Sequence, residues 1–283
     1  MCFRLWPVDA MPEMPEIETI ARQLRKTIVG KRIEAVRLSG LPLRKPIAQD
    51  FCARLRGRMI RKILRRGKYI VAELEPKAFW LIHLGMSGRV LYQARASGRT
   101  KHTHAVVRFS DATELEYLDP RRFGMLAAYE VPGPAQVPEL RALGKDPLSS
   151  GFCSKWLWPV MKKSRQEVKS FLLDQRKIAG LGNIYACESL FLARIHPARR
   201  CCTLTKGEMS RMASAIRKVL RIAIRNNGTS FSDFMGLDGS RGKNQGFLAV
   251  FQRDGEACVR CGAPIQRIRQ ANRSSFYCPT CQN

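Results

Sequence analysis

Four cysteines stand in two pairs close to the end of the chain, Cys258-Val-Arg-Cys261 and Cys278-Pro-Thr-Cys281, with sixteen residues between the pairs. Each such turn offers two sulfurs to one side of a tetrahedron, which is the spacing of a four-thiolate zinc ribbon. Four thiolates leave no open coordination position, so the single Zn2+ expected there is structural and any chemistry lies elsewhere. No acidic residue follows Ala257, whereas Arg260, Arg267, Arg269 and Arg273 do. A small basic hairpin clipped by zinc makes a good phosphate grip. A second basic concentration runs from Arg54 to Lys68, where eight of fifteen positions are Lys or Arg and none is acidic. It reads either as a phosphate-facing surface or as a solvated face.

Three further motifs could contact a ligand. Gly180-Leu-Gly182-Asn183 joins two helical stretches. Its glycines permit a tight turn, and Asn183 at a helix start is either an ordinary cap or part of an anion site. His83-Leu-Gly-Met-Ser-Gly88 and Asp119-Pro-Arg-Arg-Phe-Gly124 each set large side chains on a loop after a strand. Met86, Arg121 and Phe123 are then either plain loop residues or wedges able to enter a base stack. Met11-Pro-Glu-Met-Pro-Glu-Ile-Glu18, taken alone, is a helix start, since Pro and acidic residues favour a first turn.

The elements that must position these residues fall into two groups. With 283 residues and 45% hydrophobic content, the chain can bury roughly two cores. One helix is expected over Pro15–Thr27, with Ile17, Ile20, Ala21 and Leu24 on one face. Short strand-like runs follow at Arg32–Leu38, Met59–Leu64, Tyr69–Leu74, Phe79–Leu84, Ala105–Phe109 and Glu114–Leu118, which suggests a β-sandwich or barrel. The Pro-rich stretch 131–140 reads as a linker. Helices are then expected over Ser164–Gln175, Asn183–Arg194 and Thr205–Asn226, the last opened by a capping box between Thr205 and Glu208. Residues 228–247 are rich in Gly, Ser, Asp and Asn and read as a mobile loop, and long loops in compact proteins are often functional.

The net charge of +27 makes nucleic acid the leading partner. A membrane-surface protein would want an amphipathic anchor helix, and none is visible. No stretch approaches a transmembrane length, and the first ten residues lack the pattern of a signal peptide. Cys2, Cys52, Cys153, Cys187, Cys201 and Cys202 follow no framework spacing, which suggests reduced thiols in a cytosolic protein.

Taken in order, MPEMPEIE, RRGKYI, HLGMSG, DPRRFG, GLGNIY and the ribbon GEACVRCG with RSSFYCPTCQ resemble the formamidopyrimidine-DNA glycosylase family from Met11 to Asn283. The resemblance implies an α+β fold: an N-terminal β-sandwich, then a helical domain with a helix–two-turns–helix element and a zinc-finger β-hairpin. DNA would lie in the cleft between them. The implied boundaries are 1–11 for an upstream extension absent from the mature protein, 12–130, a linker at 131–140, 141–247 with the lesion loop, and 248–283 for the zinc finger. The implied activity is excision of oxidised purines and cleavage of the strand at the abasic site.

On this resemblance the catalytic residues are Pro12, Glu13, Lys68 and Arg273, with Glu16 a second carboxylate of the family near the terminus. Contacts to damaged double-stranded DNA would come from Met86, His102, Arg121, Phe123, Asn183 and Arg273. A monomer in the bacterial cytoplasm, associated with the nucleoid, is expected. Two departures stand out. Ten residues precede Met11, although a proline nucleophile must be a free terminal amine, so translation is expected to start at Met11. Lys243 takes the place of an aromatic that often follows the glycine in relatives, which leaves the preference among oxidised purines open. Two alternatives remain at this point: an endonuclease VIII-like glycosylase for oxidised pyrimidines, and a non-catalytic zinc-ribbon nucleic-acid-binding protein.

Overall fold

A computed structural model describes residues 11–94, 100–231 and 234–283. The upstream residues 1–10 lie outside the described residues. The described residues divide into two compact units, one reaching to residue 142 and joined by 226–243, the other of 143–225 with 244–283.

The first unit opens with α1 (Met14–Thr27), which buries Ile17, Ile20, Ala21 and Leu24. Eight strands follow: β1 (Ile33–Leu38), β2 (Met59–Arg66), β3 (Tyr69–Glu75), β4 (Ala78–His83), β5 (Arg89–Gln93), β6 (Thr103–Phe109), β7 (Glu114–Leu118) and β8 (Met125–Tyr129). A short α2 (Phe51–Leu55) precedes β2. The strands form two antiparallel four-stranded sheets, ordered β1-β6-β7-β5 and β2-β3-β4-β8. Alternate residues enter a shared core: Ile70, Ala72 and Leu74 of β3, Ala78, Trp80 and Ile82 of β4, and Ala105, Val107 and Phe109 of β6. This period of two is what a sandwich requires of each inner face. α1 is tied to β2, since Arg25 Nε donates to Ile63 O at 2.8 Å and Glu18 pairs with Arg65 at 2.9 Å.

The stretch read as a linker is packed. Val137 is buried, as is Leu140 in α3 (Pro138–Arg141), and Glu139 accepts from Tyr129 at 3.0 Å. Pro134 and Pro138 initiate short helical turns here and do not loosen the chain. Residues 226–243 cluster with the first unit, not with the helical residues on either side of them in sequence.

The second unit holds α4 (Ser154–Lys162), α5 (Val168–Leu173), α6 (Asn183–Ala193), α7 (Lys206–Arg225) and the hairpin β9 (Gln266–Gln270) and β10 (Arg273–Tyr277). The helix expected over Ser164–Gln175 begins only at Val168. Residues 164–167 are drawn out to bond the chain at 200–202, with Cys201 N donating to Gln166 O and Cys202 N to Ser164 O. Those tertiary bonds outweigh helix propensity. α7 has its capping box, with Thr205 N donating to Glu208 Oε2 at 2.8 Å and Glu208 N to Thr205 Oγ1 at 3.2 Å. No helix among the described residues is long and apolar enough to cross a membrane.

Candidate active site and zinc centre

The doubled Pro-Glu pattern folds locally into a helix start. Glu13 is the N-cap of α1, Pro15 sits in the first turn, and Glu16 at the third helical position reaches back to accept the Glu13 N–H at 2.8 Å. Both carboxylates are buried, at 3% and 1% exposure, and Pro12 is buried beside them. Glu16 is more than a first-turn charge. Its second oxygen accepts the backbone N–H of Thr229 at 2.7 Å, across 213 positions of sequence. The neighbouring Gly228 has a φ of +83°, and a Cβ there would meet Glu16 Oε1 at 2.8 Å, so only glycine lets the loop approach this closely. The neck of the same loop is closed by Lys243 N donating to Asn226 O at 2.8 Å. Lys243 itself is exposed.

Lys68 lies in the turn between β2 and β3 and is 7% exposed. Its charge reaches His83 at the end of β4. Burial first, then the charges of Lys68 and Arg44, hold the His83 imidazole down at about 4. His83 is thus neutral, packs at a tilt against Tyr69 with ring centroids 4.8 Å apart, and accepts the Gly85 N–H at 3.1 Å. That bond sets the turn carrying Met86.

Met86, Arg121 and Phe123 sit on two loops built around one carboxylate. Asp119 has no exposure. It accepts from Ser87 Oγ at 2.6 Å on the Met86 loop and from Gly124 N at 2.7 Å on its own loop. Ser87 Oγ also accepts the Arg121 N–H at 3.1 Å. Behind Asp119, the Tyr117 hydroxyl donates to His83 O at 3.1 Å, and burial followed by the Asp119 charge push this phenol far above its ordinary range. The Asp119 N–H donates to His102 O at 3.0 Å, which places His102 against the same hub. Phe123 is 42% exposed, with the Arg121 guanidinium 5.1 Å from its ring. An exposed phenylalanine paired with a cation, on loops clamped from beneath, suits insertion between bases.

In the second unit, Asn183 opens α6 and donates through Nδ2 to Ser274 O at 3.0 Å. The same carbonyl accepts from Lys169 Nζ at 2.8 Å, and Lys169 also donates to Ser275 Oγ at 2.6 Å. Ser275 Oγ donates in turn to Gln270 Oε1, and Gln270 Nε2 to Glu167 Oε2 at 2.7 Å. A lysine with 1% exposure therefore fixes the hairpin strand that begins with the exposed Arg273, next to Asn183. Glu188 of α6 does similar work at the base of the ribbon, accepting from Ala249, Val250 and Phe251 N–H groups at 2.8–2.9 Å. Sequence reasoning places Asp119 only in a turn and assigns nothing to Lys169 or Glu188. The one sequence signal of these last two is a charge inside an otherwise apolar helix, as in Val168–Leu173 and Asn183–Ala193.

The four ribbon sulfurs, Cys258, Cys261, Cys278 and Cys281, lie within 4.8 Å of one another, with Cys261 and Cys278 at 3.4 Å. A tetrahedral Zn2+ with bonds of about 2.3 Å would hold sulfurs about 3.8 Å apart, so the donor set fits. Arg260 N and Cys281 N each donate to a sulfur at 3.4 Å, as thiolates require. Against burial, the N–H groups of Arg260 and Cys261 draw Cys258 down to about 7, while burial and the adjacent thiols push Cys281 up to about 12. Four sulfurs this close cannot all ionise at neutral pH without a cation among them.

Comparison with known proteins matches three family descriptions along the chain. These are the formamidopyrimidine-DNA glycosylase N-terminal domain over residues 11–126, its H2TH domain over 143–235, and a zinc finger found in FPG and IleRS over 255–283. The formamidopyrimidine-DNA glycosylase of Gluconobacter oxydans is 42% identical over 96% of this chain and 100% of its own length. That of Thioalkalivibrio sulfidiphilus is 39% identical with the same coverages. Among solved structures, the MutM (Fpg) protein of Thermus thermophilus superposes with a TM-score of 0.85 at 37% identity, covering 96% of this chain and 98% of that one. Lactococcus lactis Fpg in complex with DNA containing an abasic site gives 0.87 at 34% identity, covering 96% and 99%.

Proposed function

We propose a function from one premise: this chain belongs to the formamidopyrimidine-DNA glycosylase family. It is a base-excision repair enzyme that removes oxidised purines from duplex DNA and then cleaves the strand at the abasic site. The observation that carries this reading is the buried start of α1, where Pro12 precedes a carboxylate pair and the match to the family begins at residue 11. That relatives have been solved with DNA containing Fapy-dG or carbocyclic 8-oxo-G supports the substrate class.

The nucleophile is the Pro12 nitrogen. Inside a chain it is an amide whose lone pair is delocalised into the carbonyl. At a chain start it is a secondary amine, and α-amino groups titrate at about 7.7–8.0, so a useful fraction is unprotonated near neutral pH. Translation therefore starts at Met11, and that methionine is removed. The amine attacks C1′ of the damaged nucleotide, the base leaves with the bonding pair, and ring opening gives an iminium ion. The iminium takes up the electrons released when the C2′ proton is lost, so the 3′ phosphate leaves by β-elimination and the 5′ phosphate by δ-elimination. Glu13 transfers a proton at the deoxyribose ring oxygen. Glu16 holds the Glu13 backbone and the Thr229 loop in register. Lys68, Asn183 and Arg273 bind phosphates flanking the lesion, with His102 a further contact. Met86, Arg121 and Phe123 fill the vacated stack, offsetting an unstacking cost of a few kcal/mol. The zinc ribbon carries no step; the ion would hold the hairpin that presents Arg273. We place the enzyme as a monomer on nucleoid DNA in the bacterial cytoplasm.

Borohydride trapping tests the reading. Protein beginning at Pro12 should become covalently linked to a duplex with 8-oxoguanine opposite cytosine, and Pro12→Gly should lose most of that product. Trapping on an oxidised pyrimidine alone would favour an endonuclease VIII-like specificity, and trapping on neither would leave only a binding protein. Mass spectrometry of active native protein should show Pro12 first; a retained Met1 or Met11 would sink the mechanism.

A further inference from the structure

Two rulers inside the second unit separate the Asn183–Arg273 end from a second basic region. α6 runs from Asn183 to Ala193, so Arg194 lies about 16 Å from Asn183 along the axis. The hairpin strand from Arg273 to the zinc ligand Cys278 spans about 17 Å. Asn183 and Arg273 flank one shared carbonyl, Ser274 O, so both rulers start from the same place. They also finish together. Arg194, Arg211, Arg260, Cys261 and Cys281 line one cavity of about 400 Å³.

The charges in this cavity are arranged to receive an anion. Its side-chain carboxylate, Glu208, and the main-chain oxygen of Asn283, which also lines it, both already accept from Arg199. The guanidinium groups of Arg194, Arg211 and Arg260 have no hydrogen-bond or carboxylate partner among the described residues. Arg260 is held in place by stacking on the Phe191 ring at 4.6 Å, which leaves its N–H edges open.

The basic surface then continues along α7. Arg211, Lys218, Arg221 and Arg225 are exposed and, with Ser214, recur at helical spacing on the side opposite the buried Met209, Met212, Ile216 and Leu220. The row is about 21 Å long. A merely solvated helix face alternates its charges so that i,i+4 pairs stabilise it. Here Glu208 is the one acidic residue of α7, and Arg217–Arg221 and Arg221–Arg225 are like-charged i,i+4 pairs that destabilise the helix. The helix dipole explains Arg225 in the last turn but disfavours Lys206 at the start. An extended polyanion relieves all of these repulsions together, and the length of the row fits a backbone in preference to a small ion.

We propose that the exposed row on α7, together with the cavity in which it begins, is a second nucleic-acid site, which takes the phosphodiester backbone of a duplex DNA segment other than the one at Asn183 and Arg273. One molecule would then bridge two duplex segments. The proposal needs none of the excision chemistry.

Bridging can be read by energy transfer between donor-labelled and acceptor-labelled short undamaged duplexes mixed with the full chain beginning at Pro12. Transfer should rise with the wild-type protein. It should fall about tenfold or more in Arg211→Gln/Lys218→Gln/Arg221→Gln, and the salt slope of bridging should drop by about 2.7, or about 0.9 for each phosphate no longer neutralised. Zinc content, melting temperature and excision of a lesion duplex should stay at wild-type values. Lys218→Gln alone should remove about 0.9 of the slope, which guards against a folding defect in the triple variant. No transfer with wild type, or an unchanged slope in both variants, overturns the proposal. So does stronger competition by anionic vesicles or by duplex RNA than by duplex DNA. Because both duplexes are undamaged, a failure of the excision reading would leave bridging intact and be seen separately.

Discussion

Replacing Asp119 by asparagine should separate base removal from strand cleavage. Asp119 is fully buried and accepts two short bonds, from Ser87 Oγ at 2.6 Å and Gly124 N at 2.7 Å. An amide of the same shape has one oxygen to accept with, and its NH2 faces the other donor. Leaving that buried donor unpaired costs about 1–3 kcal/mol. The surviving bond changes from charged to neutral, at a further cost of about 1 kcal/mol. The loops bearing Met86, Arg121 and Phe123 therefore lose about 2–4 kcal/mol of mutual support. If half of that is carried into the flipped complex, excision of 8-oxoguanine opposite cytosine falls about 5- to 30-fold under single-turnover conditions. Cleavage at a preformed abasic site in single-stranded DNA, where no stack has to be filled, should be unchanged. In an Arg121→Ala background the further loss from Asp119→Asn should shrink, because both changes act through one wedge. Equal losses on both substrates would refute the reasoning, as would full additivity with Arg121→Ala.

Three other outcomes are expected. Lys169→Met removes the ammonium beneath Ser274 and Ser275, and charged hydrogen bonds contribute about 1.5–3 kcal/mol each, so affinity for damaged and undamaged duplexes should fall together by about tenfold or more. Fluorescence anisotropy with a zinc assay checks this; a loss confined to damaged DNA would contradict it. The His83 imidazole is held at about 4 against an ordinary 6.5, so the unfolded chain takes up that proton first. Its contribution to stability is complete above pH 6.5 and falls as the pH drops toward 4, with a slope of up to about 1.4 kcal/mol per pH unit. A midpoint near 6.5 for His83 in an NMR titration would exclude this. Removing zinc with a chelator should abolish duplex binding and turnover, and full activity in metal-free protein would contradict the ribbon's supporting role.

Local signals make much of this legible in the sequence. α1 and α7 announce themselves by apolar spacing and first-turn signals, α6 by the apolar stretch after Gly180-Leu-Gly182, and six strands by short β-rich runs, because each of those patterns is satisfied within one element. β5 and β8 escape such a reading, since each directly follows a Gly-containing loop that dominates the local signal. The cysteine spacing is sufficient for the metal centre because the two turns alone determine where four sulfurs can go. What is not legible depends on partners far along the chain. Ser87 meets Asp119 across 32 positions, Val250 meets Glu188 across 62, and Lys169 meets Ser274 across 105. The break before Val168 has the same origin, as the bonds that prevent a longer helix come from residues 200–202.

The clasp between Glu16 and Thr229 also has a consequence for how the protein is made. The first unit is discontinuous, and its last strip, residues 226–243, is synthesised after most of the second unit. At about 5–20 residues per second, Thr229 follows Glu16 off the ribosome by about 10–40 s. For that interval Glu16 lacks the Thr229 N–H. The carboxylate behind Pro12 is thus completed by one of the last parts of the first unit to be made, and a chain that stops before residue 226 lacks that bond.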